Sequence, residues 1–138
     1  MTIVERLEYL DQNITGSLIV LGGMSKYLNG FRNTQPSGLI DISIKSESTS
    51  SIEQLGTRCN ILGGTSFSDP VKEQFILVTE DYKFDVFVQD ESTPTNVVGS
   101  LNVLTPQGDL NWHLNMSSSI QSEYLHNKVQ SLKELYGL

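Results

Sequence analysis

Four consecutive apolar residues, Leu18-Ile19-Val20-Leu21, stop at the pair Gly22-Gly23. A run this short and uniformly apolar fits a strand buried on both faces. Past the glycines the period changes, and Met24, Tyr27 and Leu28 recur on one helical face as far as Gly30. The chain thus passes from buried strand to short helix through a turn without side chains. That predicts a layered α/β fold and excludes an all-helical bundle or a pure β-sandwich. Glycines in such a turn let other groups approach the backbone closely, and a helix N-terminus offers free N–H groups to an anion. Gly22, Gly23 and Ser25 are therefore a candidate phosphate-approach turn, with a plain tight turn as the alternative reading.

The next strand carries the most chemistry. In Leu39-Ile40-Asp41-Ile42-Ser43-Ile44 the three isoleucines point to one face, and Leu39, Asp41 and Ser43 to the other. Aspartate is depleted in strands, so Asp41 reads either as a site residue or as a half-exposed strand position. Asp85, within Phe84-Asp85-Val86-Phe87-Val88, carries the same two readings. That segment and Phe75-Ile76-Leu77-Val78-Thr79 flank a four-residue connection and predict an antiparallel hairpin.

Around this centre, Ile3, Leu7 and Leu10 predict a helix over 3–11. Ser51 followed by Gln54 predicts a capped helix over about 51–61, closed by Gly63-Gly64, with a loop over 65–70. A polar loop over 90–96 leads to one strand over 97–104, interrupted at Gly99. The longest predicted helix is the tail, about 120–136, on the spacing of Tyr124, Leu125, Val129, Leu132 and Leu135. The expected architecture is a single α/β (α+β) domain over 1–138, a mixed sheet flanked by helices.

Charge narrows the function. The 138 residues carry a net charge of −7, with no visible cluster of Lys or Arg. Nucleic-acid binding through the phosphate backbone is disfavoured, because it needs a concentrated basic surface. One cysteine, Cys59, excludes an internal disulfide and reads as a small buried hydrophobe. With only His113 and His126 beside it, a structural zinc site of the usual kinds is excluded. His113 next to Trp112 reads as a partly buried aromatic pair, and Arg32 as a solvated loop residue. The N-terminus shows no basic region followed by an apolar run, and no apolar stretch approaches the roughly 20 residues that span a bilayer. The expectation is no membrane, and a location in the cytoplasm or in an assembly, virions included, built inside a cell.

The stretch from Gly22-Gly23-Met24-Ser25 through Asn29-Gly30-Phe31-Arg32-Asn33-Thr34 to Ile40-Asp41-Ile42-Ser43-Ile44 resembles the minimal nucleotidyltransferases, including the abortive-infection toxin-type members. Those proteins combine a Gly-Gly or Gly-Ser turn, a short helix ending in His-Gly, an Arg-x-Thr and a strand bearing Asp-x-Asp. A later strand, matched by 84–88, carries a third carboxylate. The resemblance covers roughly residues 15–105. It implies a nucleotidyltransferase-like mixed sheet, with Asp41 and Asp85 as metal ligands and Gly22, Gly23 and Ser25 facing phosphates. In such enzymes three carboxylates hold two magnesium ions that position a nucleoside triphosphate.

Departures from the pattern shape the functional expectation. Ser43 stands where the second aspartate belongs, Asn29 replaces the histidine, and Lys128 is the one basic residue between Trp112 and Lys128. The expectation is a domain whose catalysis is lost and whose metal and phosphate residues are vestigial. It would need no cofactor and would act by binding another protein or by self-association. One alternative is an active magnesium-dependent nucleotidyltransferase acting on RNA or protein, with Glu47 or Asp81 recruited as third carboxylate. Another is a structural protein of a phage particle, suited by the richness in Ser, Thr and Asn.

Overall fold

The computed structural model describes residues 1–60, 70–119 and 123–138, with only the backbone of 116–119. Helix α1 (Ile3–Asn13) opens with a capping box in which the Thr2 hydroxyl accepts from the Glu5 N–H and the Glu5 carboxylate accepts from the Thr2 N–H. Strand β1 (Ile19–Val20), helix α2 (Gly22–Leu28) and strand β2 (Leu39–Ile44) follow. A 3-10 turn at Ser46–Ser48 leads into α3 (Thr49–Glu53) and then β3 (Thr57–Cys59). Next come the strands β4 (Glu73–Val78), β5 (Lys83–Val88), β6 (Thr95–Val98) and β7 (Leu101–Leu104). The described chain closes with helices α4 (Pro106–Ser119) and α5 (Glu123–Tyr136).

Seven strands make one mixed sheet in the order β3-β4-β5-β2-β1-β7-β6. The buried run before Gly22 and the alternation around Asp41 predict that 39–44 neighbours 18–21 and 84–88, and β2 does lie between β1 and β5. The structure adds that it runs antiparallel to β1 and parallel to β5. The β4–β5 hairpin is antiparallel, also as predicted. On one face Ile40, Ile42, Ile44, Phe75, Leu77, Phe84, Val86 and Val88 join Ile3, Leu7 and Leu10 of α1 and Ile52 of α3 in the main core. Each such buried side chain contributes roughly 1.5–3 kcal/mol, so this face anchors the fold. The opposite face carries Asp41, Ser43, Asp85 and Phe87, and α4 lies over it with Trp112 edge-on to Phe87 at 5.5 Å. A smaller cluster of Leu110, Val129 and Leu132, with Tyr136 against it, holds α5 to α4.

Several expectations are corrected. The helix predicted over about 51–61 ends at Glu53, and 57–59 are a strand. Gly56 brings the chain so close to β4 that an added Cβ would lie 2.6 Å from the Val78 carbonyl oxygen. Arg58 then bridges Glu53 and Glu73 and sits over the Phe75 ring at 4.3 Å. Ser51 is not a cap but lies inside α3, donating to the Ser48 carbonyl and accepting from the Thr15 N–H. Cys59 is exposed on this edge strand rather than buried. The single strand expected over 97–104 folds back at Gly99 (φ 63°) into the β6–β7 hairpin, which takes Thr95 and Asn96 out of the predicted loop. Helix α4 is unforeseen, because Leu110, Trp112 and Leu114 alternate at a strand-like period. Residues 61–69, with the Gly63-Gly64 closure, and 120–122 lie outside the described residues.

Candidate functional site

The parallel register of β2 and β5 sets Asp41 directly opposite Asp85. Burial raises both carboxyls above the usual range, and the charge of Asp85 adds to the effect on Asp41, which reaches about 6. Lys26 and His113 pull Asp41 the other way without cancelling this. Gln74 on β4 donates to Asp85 at 2.8 Å and partly offsets its burial.

The glycine turn lies against the same carboxylate. Gly22 adopts φ 57°, and a Cβ there would meet Asp41 Oδ2 at 2.5 Å, so no side chain fits at this position. A Cβ at Gly23 would meet Nη1 of Arg32, whose guanidinium therefore folds back over the start of α2. Ser25 is buried, and its hydroxyl donates to the Gly22 carbonyl at 2.6 Å. Ser43 is buried too, paired between Ile19 and Phe87. Asn29 stitches α2 to the β6–β7 hairpin, donating to the Leu104 carbonyl and accepting from Asn96.

A second acidic centre, unforeseen in the sequence, faces this turn. Asp109 on α4 has a side chain only 2% exposed, 3.2 Å from the Lys26 ammonium and 3.2 Å from Nδ1 of His113. The Tyr136 hydroxyl of α5 donates to it as well. Burial alone would push Asp109 up, but the hydrogen bonds from His113 and Tyr136 and the charge of Lys26 outweigh it and hold the group near 2. Burial and the adjacent Asp109 charge raise the Tyr136 phenol in turn. The sequence signal for this centre was Thr105-Pro106, a cap followed by proline at the first helical position, which would have set Asp109 and His113 one turn apart on one helix face.

Gly22, Lys26, Asp41, Asp109, His113 and Lys128 line a cleft of about 290 Å³ between the turn, the sheet and the α4–α5 pair, with Trp112 in its wall. Trp112 and His113 are half-buried as expected, but the ring partner of Trp112 is Phe87 and His113 turns to Asp109, and both line the cleft. Of the two carboxylates considered as recruits, Glu47 lies beside Gly16 past the far end of β2, and Asp81 is taken by Arg6 at 2.8 Å. Among the described residues, no three His, Cys, Asp or Glu side chains converge as a metal site.

No family model matches the chain, and no curated protein matches it. Among solved structures, the crystal structure of ANT(2″)-Ia, an aminoglycoside nucleotidyltransferase, in complex with adenylyl-2″-tobramycin is similar to it. The match has a TM-score of 0.56 at 14% identity and covers 95% of this chain and 85% of that one. The fold is nucleotidyltransferase-like. At this identity the likeness is one of architecture, and it agrees with the order of elements that the sequence motif implies. In this nucleotidyltransferase-like frame Asp41 and Asp85 stand side by side at the sheet centre, with the glycine turn against Asp41.

Proposed function

We propose that this nucleotidyltransferase-like domain no longer transfers nucleotides and serves in binding or assembly. The observation that carries the reading is Ser43. It occupies the position of the second metal-binding aspartate in the enzymes the chain resembles, and it is buried as a neutral side chain beside Phe87. Two hard dications need the charge of several carboxylates gathered in one place. Here Asp41 and Asp85 have only each other, and burial already disfavours their ionised forms. Asp109, the third carboxylate near the cleft, is engaged by Lys26, His113 and Tyr136. The donor set does not fit a two-magnesium centre.

Transfer at such a centre is mostly electrostatic stabilisation of phosphoryl charge by positioned metal ions. The test is incubation of the full chain with magnesium and each labelled nucleoside triphosphate, alone and with RNA, alongside calorimetry with magnesium. The expected result is no label on protein or RNA and no saturable magnesium binding below the millimolar range. Strong incorporation that Asp41→Asn abolishes would overturn the reading in favour of an active enzyme. Light scattering tests the assembly arm, for which self-association is the expected outcome unless the partner is a different protein.

A further inference from the structure

Gln89 follows the last residue of β5, and its N–H donates to the Ile44 carbonyl at 3.0 Å, which fixes the backbone at the end of the sheet away from the Gly22 turn. The residue is 1% exposed. Among the described residues neither its amide oxygen nor its amide nitrogen has a hydrogen-bond partner, and the same holds for the buried hydroxyl of Thr93. Leaving a buried amide unpaired costs more than an ordinary hydrogen bond contributes, so these atoms call for a partner. Both residues line one recess of about 120 Å³ beneath α4, walled by Pro70, Pro94, Asn111 and Trp112. It lies on the opposite side of Trp112 from the Asp41 cleft, sharing that one side chain with it.

We propose that this recess is a binding site for a small, neutral, planar ring whose edge carries an N–H beside a C=O. Size, charge and hydrogen-bonding pattern each narrow the choice. An engineered apolar cavity of about 150 Å³ holds benzene, so a recess of about 120 Å³ has room for one six-membered ring at most. No described Lys or Arg lines it, while Glu91 does, which disfavours phosphates and other anions. A glutamine amide sets a donor and an acceptor side by side and pairs two-fold with an edge of the same kind, as glutamine does with adenine. Trp112 and the two prolines supply flat apolar walls for the faces of the ring. The buried Thr93 hydroxyl supplies a further polar contact in the recess. A lactam edge of this kind belongs to free heterocycles and to nucleoside bases alike.

The test is nuclear magnetic resonance of the ¹⁵N-labelled full chain with 2-pyridone, the minimal ring bearing that edge, and with N-methyl-2-pyridone, which keeps ring and carbonyl but lacks the donor. Trp112 is the sole tryptophan, so its indole N–H is an unambiguous reporter. Saturable shifts of that signal and of the Gln89 side-chain amide by 2-pyridone are expected, with the N-methyl analogue about tenfold weaker. Gln89→Leu and, separately, Thr93→Val should weaken 2-pyridone binding. Uridine as a third probe separates the sources: binding assigns the site to a nucleoside base, whereas uridine failing where 2-pyridone binds assigns it to a free heterocycle. No saturable shift with 2-pyridone or uridine, equal binding of the N-methyl analogue, or full binding by Gln89→Leu would overturn the proposal. The comparison of the two pyridones uses the native chain and stands even if a variant fails to fold.

Discussion

Asp41 and Asp109 are carboxylates of the same cleft that burial raises alike, but hydrogen bonds from His113 and Tyr136 hold Asp109 low while the Asp85 charge raises Asp41 further. Asp41 ionises only near 6 in the folded chain, against about 4 when unfolded. Between those values the unfolded chain has released a proton that the folded chain keeps, so the contribution of Asp41 to stability falls as pH rises and the full penalty is present above 6. Two pKa units correspond to at most about 3 kcal/mol, less what the partly solvated site relaxes away. Asp41→Asn should therefore gain stability over the native chain at pH 7.5 and little at pH 4, in magnesium-free denaturant melts. A mutant less stable at pH 7.5 would show that the charged form is held by something favourable. Asp109 runs the other way: its contribution is complete above the unfolded value of about 4 and is lost as pH falls towards 2. Tyr136→Phe keeps the ring contact with Phe31 at 4.9 Å but removes one donor from this buried charge. The expected cost is about 1.5–3 kcal/mol in urea unfolding at neutral pH, and a neutral result would mean that Lys26 and His113 suffice.

Helix α4 is the element on which both recesses depend. Its first turn is tied by Thr105, whose hydroxyl accepts from the Gly108 N–H at 3.0 Å and donates to the Pro94 carbonyl at 3.2 Å. Gly108 allows the helix to approach that loop, because a Cβ there would meet the Pro94 oxygen at 2.7 Å and Leu104 Cδ1 at 2.8 Å. Gly108→Ala sets two effects against each other. Alanine gains up to about 1 kcal/mol in helix propensity, while forcing atoms into a packed contact costs about 1–3 kcal/mol. One of the obstructing atoms is backbone, so the clash should win and the midpoint of thermal unfolding should fall. A stabilised variant would show that the Pro94 loop yields freely.

Across the whole molecule the two faces of the sheet are unequal. The α1 side holds a large continuous core, whereas α5 is fastened by a few apolar residues and the Asp109 hub. Local opening should follow that division. In native-state hydrogen exchange, α5 amides should exchange through a partial opening with a lower free energy than that of the amides of β2 and β5. Tyr136→Phe should speed exchange in α5 more than in β2. Uniform protection across the chain would mean that both faces open as one unit.

The sequence alone determined the strand–glycine–helix unit, the central position of 39–44 and its pairing with 84–88. Each was encoded by local apolar period, and strands buried on one face cannot slip register without exposing it. That Asp41 and Asp85 belong to one site was implied only by the resemblance, and their direct opposition was decided by the parallel register of β2 and β5. The Asp109 hub was not legible, because it gathers side chains from α2, α4 and α5, segments far apart in the chain whose meeting no local pattern records. Helix α4 escaped because Leu110, Trp112 and Leu114 alternate as on a strand and because its most buried described side chain is the charged Asp109, so no amphipathic period marks it. The edge strand β3 and the Gln89 recess were likewise decided only by the tertiary structure. Gly56 next to β4 and an unpaired amide beneath α4 are consequences of which surfaces come within reach of one another.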